Sequence, residues 1–206
     1  MKDGSWVGQI EREWKQLRRA DPALDTEKFF RHVLAANKTG FLSAESLAAI
    51  ANALLTCPLP ATPHLGRCLL ERIGTNRHPA LRVALALSLV TPTGGDADFA
   101  TGNAILGDVI KDETAGGPLR GMAAAALADS ARLGRGMDID VSLACGLYDE
   151  AVELGHKAAA HNLGLLWEGA WGTDNEEIAP DRSKAIQMYR RGGDDSRCQR
   201  RLRALR

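Results

Sequence analysis

The chain has 206 residues, 45% of them hydrophobic and 25% charged, which places it among globular proteins rather than disordered ones. Its 26 basic and 26 acidic residues balance, so no whole-protein field draws it to nucleic acid or to an anionic membrane. No apolar run of about 18 residues occurs and Met1 to Glu13 lacks an apolar core of signal-peptide length, so a cytoplasmic protein outside the membrane is expected.

Aromatic residues make up only 5% of the chain, while alanine and leucine dominate, which favours helices packed through small side chains. Cys57, Cys68, Cys145 and Cys198 form no Cys-x-x-Cys pair. They read as buried thiols in a reducing compartment, not as a disulfide or zinc framework.

Trp6, Ile10, Trp14 and Leu17 recur at helical spacing, and Asp21-Pro22 stops that helix. Asp25-Thr26-Glu27 supplies an N-cap and an acidic first turn for a second helix to about Ala36. Phe29, Val33 and Leu34 form its buried stripe, and Gly40 closes it. Ser43 opens a third helix to about Leu55, although Ser46 stands where a full capping box has Glu or Gln. After the proline-rich loop 58–63, a helix resumes over Leu65–Ile73. His78-Pro79 opens another to about Val90, with proline in the tolerated first turn. Asp96 is expected to cap a segment through about Lys111, and Gly116-Gly117-Pro118 to break the chain again. Beyond that break, helices are predicted at about 119–133, 140–154, 157–170 and 181–191, with a short basic helix at about 196–205. No alternating β-branched run is bounded by turn pairs, so no strand is predicted.

Two of these stretches repeat each other. Leu127-Ala128 and Leu163-Gly164 begin units 36 residues apart. Each continues through a glycine turn to an Asp, an Ala and a Tyr spaced four and four: Asp140/Ala144/Tyr148 and Asp181/Ala185/Tyr189. A helical period of this length marks a stack of helix hairpins. The aspartates suit the N-cap of the second helix, worth about 1 kcal/mol each. The small residues let helices approach, and the tyrosines fill the space between hairpins. Residues 80–112 read as a degenerate unit, with Asp96 and Ala100 in step and Ala104 where the tyrosine would stand. The expected organisation is an N-terminal helical region over 1–75, a cap or degenerate repeats, and a repeat region over 76–206. Its clear units lie at about 119–155 and 156–192, followed by a basic capping helix.

Ala159-Ala160-His161-Asn162-Leu163-Gly164, with Asp140 through Gly155, resembles the pattern of the Sel1-like repeat family, relatives of the tetratricopeptide repeats. The likeness covers about 119–192 well, about 80–118 weakly and the first 75 residues not at all. Ala131 and Trp167 depart from the family's first-helix tyrosine, residues 173–180 include an insertion, and Gly192-Gly193 replace the usual alanines. The resemblance implies an all-α, right-handed α-solenoid of antiparallel hairpins that binds another protein, as adaptor or scaffold, through its concave face. It also implies which positions face the partner: Ala125, Asp129 and Arg132 in one unit, and His161, Leu165 and Glu168 in the next. Trp171, beside the inserted loop, is a further candidate anchor. A neutralising partner of a bacterial toxin or secreted effector, of the immunity or antitoxin kind, is the alternative.

The tail from Arg190 carries seven arginines against Asp194 and Asp195. Arg197, Arg200, Arg201 and Arg203 therefore form a second candidate patch, for nucleic acid or an acidic protein. The tail lacks interleaved aromatics, and a polar cap for an exposed solenoid end is the favoured reading. His156 and His161 stand five apart, off the helical spacing of metal ligands, and His32, His64 and His78 are assigned no metal role. No Gly-x-Ser-x-Gly, His-Glu-x-x-His or strand-borne phosphate loop occurs. No catalysis, metal or cofactor is expected.

Overall fold

The computed structural model describes residues 4–59, 61–73, 78–91, 93–169 and 178–205, with side chains from Gly8 onward. The described residues form α-helices and one short 3-10 turn at 113–115, and no strand. They divide into two compact units, 1–98 and 99–206. The sequence-pattern boundary expected at residue 75 falls inside the first unit.

The first unit holds α1 (Gly4–Arg18), α2 (Thr26–Lys38), α3 (Ala44–Thr56), α4 (Thr62–Ile73) and α5 (Pro79–Val90). Helices α2 and α3 start where their caps predict, whereas α4 begins at Thr62, three residues before the expected Leu65. Asp25 accepts the amide of Lys28 at 2.9 Å, and Ser43 accepts that of Ser46 at 3.2 Å without a capping-box glutamate. Phe29, Val33, Leu54, Leu69 and Leu70 are buried completely in the core of this unit. Arg67 of α4 is buried among them, its Nη1 donating to the Ser88 carbonyl on α5 at 2.9 Å and its Nε to Glu71 at 3.2 Å. Helix α5, read from sequence as the start of a degenerate repeat, packs here with α3 and α4.

The second unit holds α6 (Phe99–Lys111), α7 (Gly116–Leu133), α8 (Val141–Glu153), α9 (Ala159–Trp167), α10 (Arg182–Arg191) and α11 (Ser196–Ala204). Helix α9 is shorter at both ends than the expected 157–170, and two helix starts differ by three residues from expectation. Helix α6 begins three residues past the cap expected at Asp96, because the Asp98 amide donates back to the Leu89 carbonyl at 3.1 Å and keeps the chain in a loop until there. Helix α7 begins at Gly116 and runs through Pro118 instead of being broken by it. A proline in the first turn lacks an amide that would have no intrahelical acceptor anyway.

Helices α7 and α8 pair, as do α9 and α10, and α8 packs on α9 and α10 on α11. Asp140 accepts the Leu143 amide at 2.7 Å and Asp181 the Lys184 amide at 3.0 Å, so both repeat aspartates are N-caps. Ala144, Ala185, Tyr148 and Tyr189 are fully buried. Gly164 is required by contact: a Cβ there would lie 2.3 Å from Cε1 of Tyr189. The large-beside-tiny pair Leu163-Gly164 thus seats one leucine in the hairpin core and one tyrosine ring on the bare backbone next to it.

Candidate partner-binding face of the repeats

The implied contact positions fall into two groups, one on α7 and one on α9. On α7, Asp129 and Arg132 lie 3.6 Å apart, and the Tyr148 hydroxyl donates to the Asp129 carboxylate. The bond to α8 therefore engages Asp129 within the fold, although its side chain is still 43% exposed. Burial, then the Asp129 charge, push the Tyr148 hydroxyl well above its ordinary range, so it stays a donor. Ala125 is half-buried beside this group.

On α9, Leu165 is half-buried and the His161 ring stands 6.1 Å from that of Tyr189. Desolvation pulls His161 below the usual imidazole range, with the Arg197 and Arg201 charges adding to it and the Asn162 hydrogen bond and the Asp195 charge opposing it. Glu168 is the opposite of a solvent-facing contact. Its side chain is only 8% exposed, and Arg201 of α11 donates to its Oε2. Trp171 lies outside the described residues.

The arginine tail separates into committed and free members. Arg197 donates to both carboxylate oxygens of Asp195, its Nη2 at 3.1 Å from Oδ2, and to the Ala158 carbonyl at 3.3 Å. That bond to Arg197 holds the Asp195 carboxyl down to about 2, and Asp195 in turn caps α11 through the amides of Arg197 and Cys198. Arg201 is spent on Glu168, and Arg182 reaches the Leu205 carbonyl at 2.7 Å. Arg200 and Arg203 point outward and are exposed. Two of the four candidate arginines thus tether α11 to α9.

Sequence reasoning did not single out the apolar side chains that the second unit leaves exposed: Met122, Leu133, Ile139 and Leu143. Met122, Asp129 and Leu133 recur along one stripe of α7, and Leu133, Ile139 and Leu143 gather at the α7–α8 turn. Only Met122 and Leu133 share a helix; Ile139 lies in the loop before α8 and Leu143 in the first turn of α8, so no single periodicity marked the set. Sequence reasoning also passed over Cys68, four residues after His64 on α4.

The two tyrosines differ in a way that the repeat offset explains. Position 165 is the counterpart of 129, and leucine there removes the acceptor that Tyr148 uses. The Tyr189 hydroxyl is accordingly buried without a hydrogen-bond partner among the described residues. Tyr148→Phe is expected to cost about 1–2 kcal/mol, whereas Tyr189→Phe removes an unpaid desolvation penalty and leaves stability unchanged or slightly raised. Urea unfolding of both variants checks this; equal losses would refute the difference between the sites.

No protein-family model matches the sequence, and no curated protein matches it. Solved structures do match. One is a Sel1 repeat protein from Oxalobacter formigenes, 20% identical, with a TM-score of 0.59, covering 86% of this chain and 74% of that one. Another is a protective antigen of uropathogenic Escherichia coli strains displaying an SLR fold, 16% identical, with a TM-score of 0.63. That match covers 97% of this chain but 41% of the antigen, so this chain spans less than half of that protein. Among the described residues no helix is long and apolar enough to cross a membrane. The all-helical architecture, the paired repeats and both structural likenesses together identify the fold as the Sel1-like helical-repeat fold.

Proposed function

We propose that this chain is a non-catalytic protein-binding module of the Sel1-like repeat family, an adaptor or scaffold whose contact surface is the exposed apolar side chains of α7, the α7–α8 turn and the first turn of α8. The observation that carries this reading is the set Met122, Leu133, Ile139 and Leu143, apolar side chains left in solvent on an otherwise well-packed hairpin. Asp129, half-exposed within the stripe, adds a polar contact, and Ala125 lies beside it. The helices are preorganised, so association loses little conformational entropy. Four free cysteines support a reducing, cytoplasmic setting. A toxin-neutralising role would use the same surface. Nucleic-acid binding by the tail is disfavoured, because Arg197 and Arg201 are already engaged within the fold.

The test is affinity capture from native lysate at low and moderate salt, comparing wild type with Met122→Asp/Leu133→Asp and with Arg200→Glu/Arg203→Glu. One stoichiometric protein is expected to survive the higher salt on wild type and the arginine variant and to be lost from the α7 variant. Retention by the α7 variant would reject that face. Capture of nucleic acid alone, lost at higher salt and in the arginine variant, would transfer the function to the tail.

A further inference from the structure

In the first unit the fold brings together a thiol, an imidazole and a backbone carbonyl. Cys68 Sγ lies 3.4 Å from Nε2 of His64, one turn earlier on α4. The other ring nitrogen, Nδ1, lies 3.3 Å from the carbonyl oxygen of Gly94. A carbonyl only accepts, so Nδ1 carries the hydrogen and Nε2 is left to take the thiol proton. A nucleophile within reach of a base, with that base fixed by a third group, is the arrangement that activates thiols.

The orienting carbonyl is itself locked. Gly94 has φ +81°, in the left-handed region, and a Cβ there would lie 2.1 Å from the Pro63 carbonyl oxygen. Only glycine lets the 93–95 loop rest on the start of α4. Gly95 lies against the guanidinium of Arg67, which is pinned to Ser88 and Glu71. The loop therefore sits on a rigid support. His64 is exposed and Cys68 part-exposed, so the pair is open to a small molecule.

The other thiols lack this setting. Cys57 and Cys198 are buried. Burial and the Asp149 charge push Cys145 up to about 11, and burial and Asp195 push Cys198 to about the same value.

We propose that Cys68 and His64 form a thiol-modification site that takes small disulfides. The Cys68 sulfur attacks one sulfur of the disulfide. A new S–S bond forms to Cys68, the original S–S bond breaks, and its electron pair leaves on the departing sulfur. The Cys68 proton passes to His64 Nε2 and on to the departing thiolate. The net change is protein thiol plus disulfide giving protein mixed disulfide plus free thiol, reversed by excess thiol.

The aromatic disulfide dithionitrobenzoate, which releases one coloured thiolate per thiol attacked, tests this on the full chain. One thiol is expected to react about ten- to a hundredfold faster than the rest, with the adduct mapped to Cys68 by mass spectrometry. Cys68→Ser abolishes the fast phase. His64→Gln, a change at an exposed side chain, slows it towards the rate of the remaining thiols. Gly94→Ala slows it as well, by displacing the carbonyl that fixes the ring. Mapping of the fast adduct to Cys145, or an unchanged fast rate in His64→Gln, would overturn the proposal.

Discussion

Replacing Leu163 with alanine is expected to cost about 2–5 kcal/mol, the range for deleting a large buried side chain whose surroundings relax only in part. Leu163 is 2% exposed and packs in the core that α7, α8 and α9 share. That core is built mostly of alanines: Ala124, Ala128, Ala131, Ala144, Ala151 and Ala159. Such side chains cannot swing in to refill the space, which places the cost in the upper part of the range. The neighbouring Gly164→Ala variant sharpens the test. Helix propensity alone would favour alanine by about 1 kcal/mol. The added Cβ, however, meets Cε1, Cζ and Cδ1 of Tyr189 at 2.3–2.7 Å, and that ring is fully buried and cannot turn out. Overpacking costs about 1–3 kcal/mol, so the clash offsets the propensity gain and the variant is neutral to destabilised by about 2 kcal/mol. Guanidinium unfolding of both variants reads the outcome. A near-neutral Leu163→Ala, or a Gly164→Ala stabilised by its full helix propensity, would show that the repeat register is misplaced.

What was legible in the sequence was local or periodic. Asp25, Asp140 and Asp181 cap helices because an aspartate before an apolar-periodic run has one good use, the free amides of the first turn. The tyrosine and alanine spacing fixed both hairpins because two copies in one chain constrain each other. The misjudged ends have one local and one tertiary cause. Pro118 read as a breaker although its place in a first turn is harmless, and Asp96 read as a cap although a long-range backbone bond to Leu89 delays the helix. The candidate face was less legible. Offset rules placed Glu168 and Arg132 towards solvent, but such rules know nothing of what the next helix brings. Arg201 arrives 33 residues after Glu168 and claims it, and Arg191 arrives about forty residues after Asp149 and Glu153 and pairs with both. No periodicity announces such pairs. The Cys68–His64 spacing of four was visible, whereas the Gly94 carbonyl that orients the ring is supplied by tertiary structure alone.

The Arg201–Glu168 pair is expected to respond asymmetrically to mutation, because its two ends differ in access to water. Arg201 is 39% exposed and Glu168 8%, with Glu168 Oε1 lacking any partner among the described residues. Removing the carboxylate, as in Glu168→Gln, leaves an arginine that is 39% exposed although its Nε is buried, at a cost of about 1 kcal/mol. Removing the guanidinium, as in Arg201→Met, strands a buried carboxylate, for which the penalty is about 2–4 kcal/mol. The molecule has a cheaper escape. Among the described residues helix α11 buries only Cys198 fully, Leu202 and Leu205 pack in part on the same cluster, and the other hydrogen bonds that hold it are Arg197 to Ala158, Arg182 to Leu205 and Gln199 to Gly193. If releasing α11 costs less than burying the bare carboxylate, the helix leaves and Glu168 meets solvent. Arg201→Met is therefore expected to lose amide-exchange protection over 196–204 well before the rest of the second unit opens. The double variant Glu168→Leu/Arg201→Met, which leaves no charge to strand, should restore both the protection and most of the stability. Equal losses from the two single variants, or a double variant as unstable as Arg201→Met, would mean that the ion pair does not anchor α11.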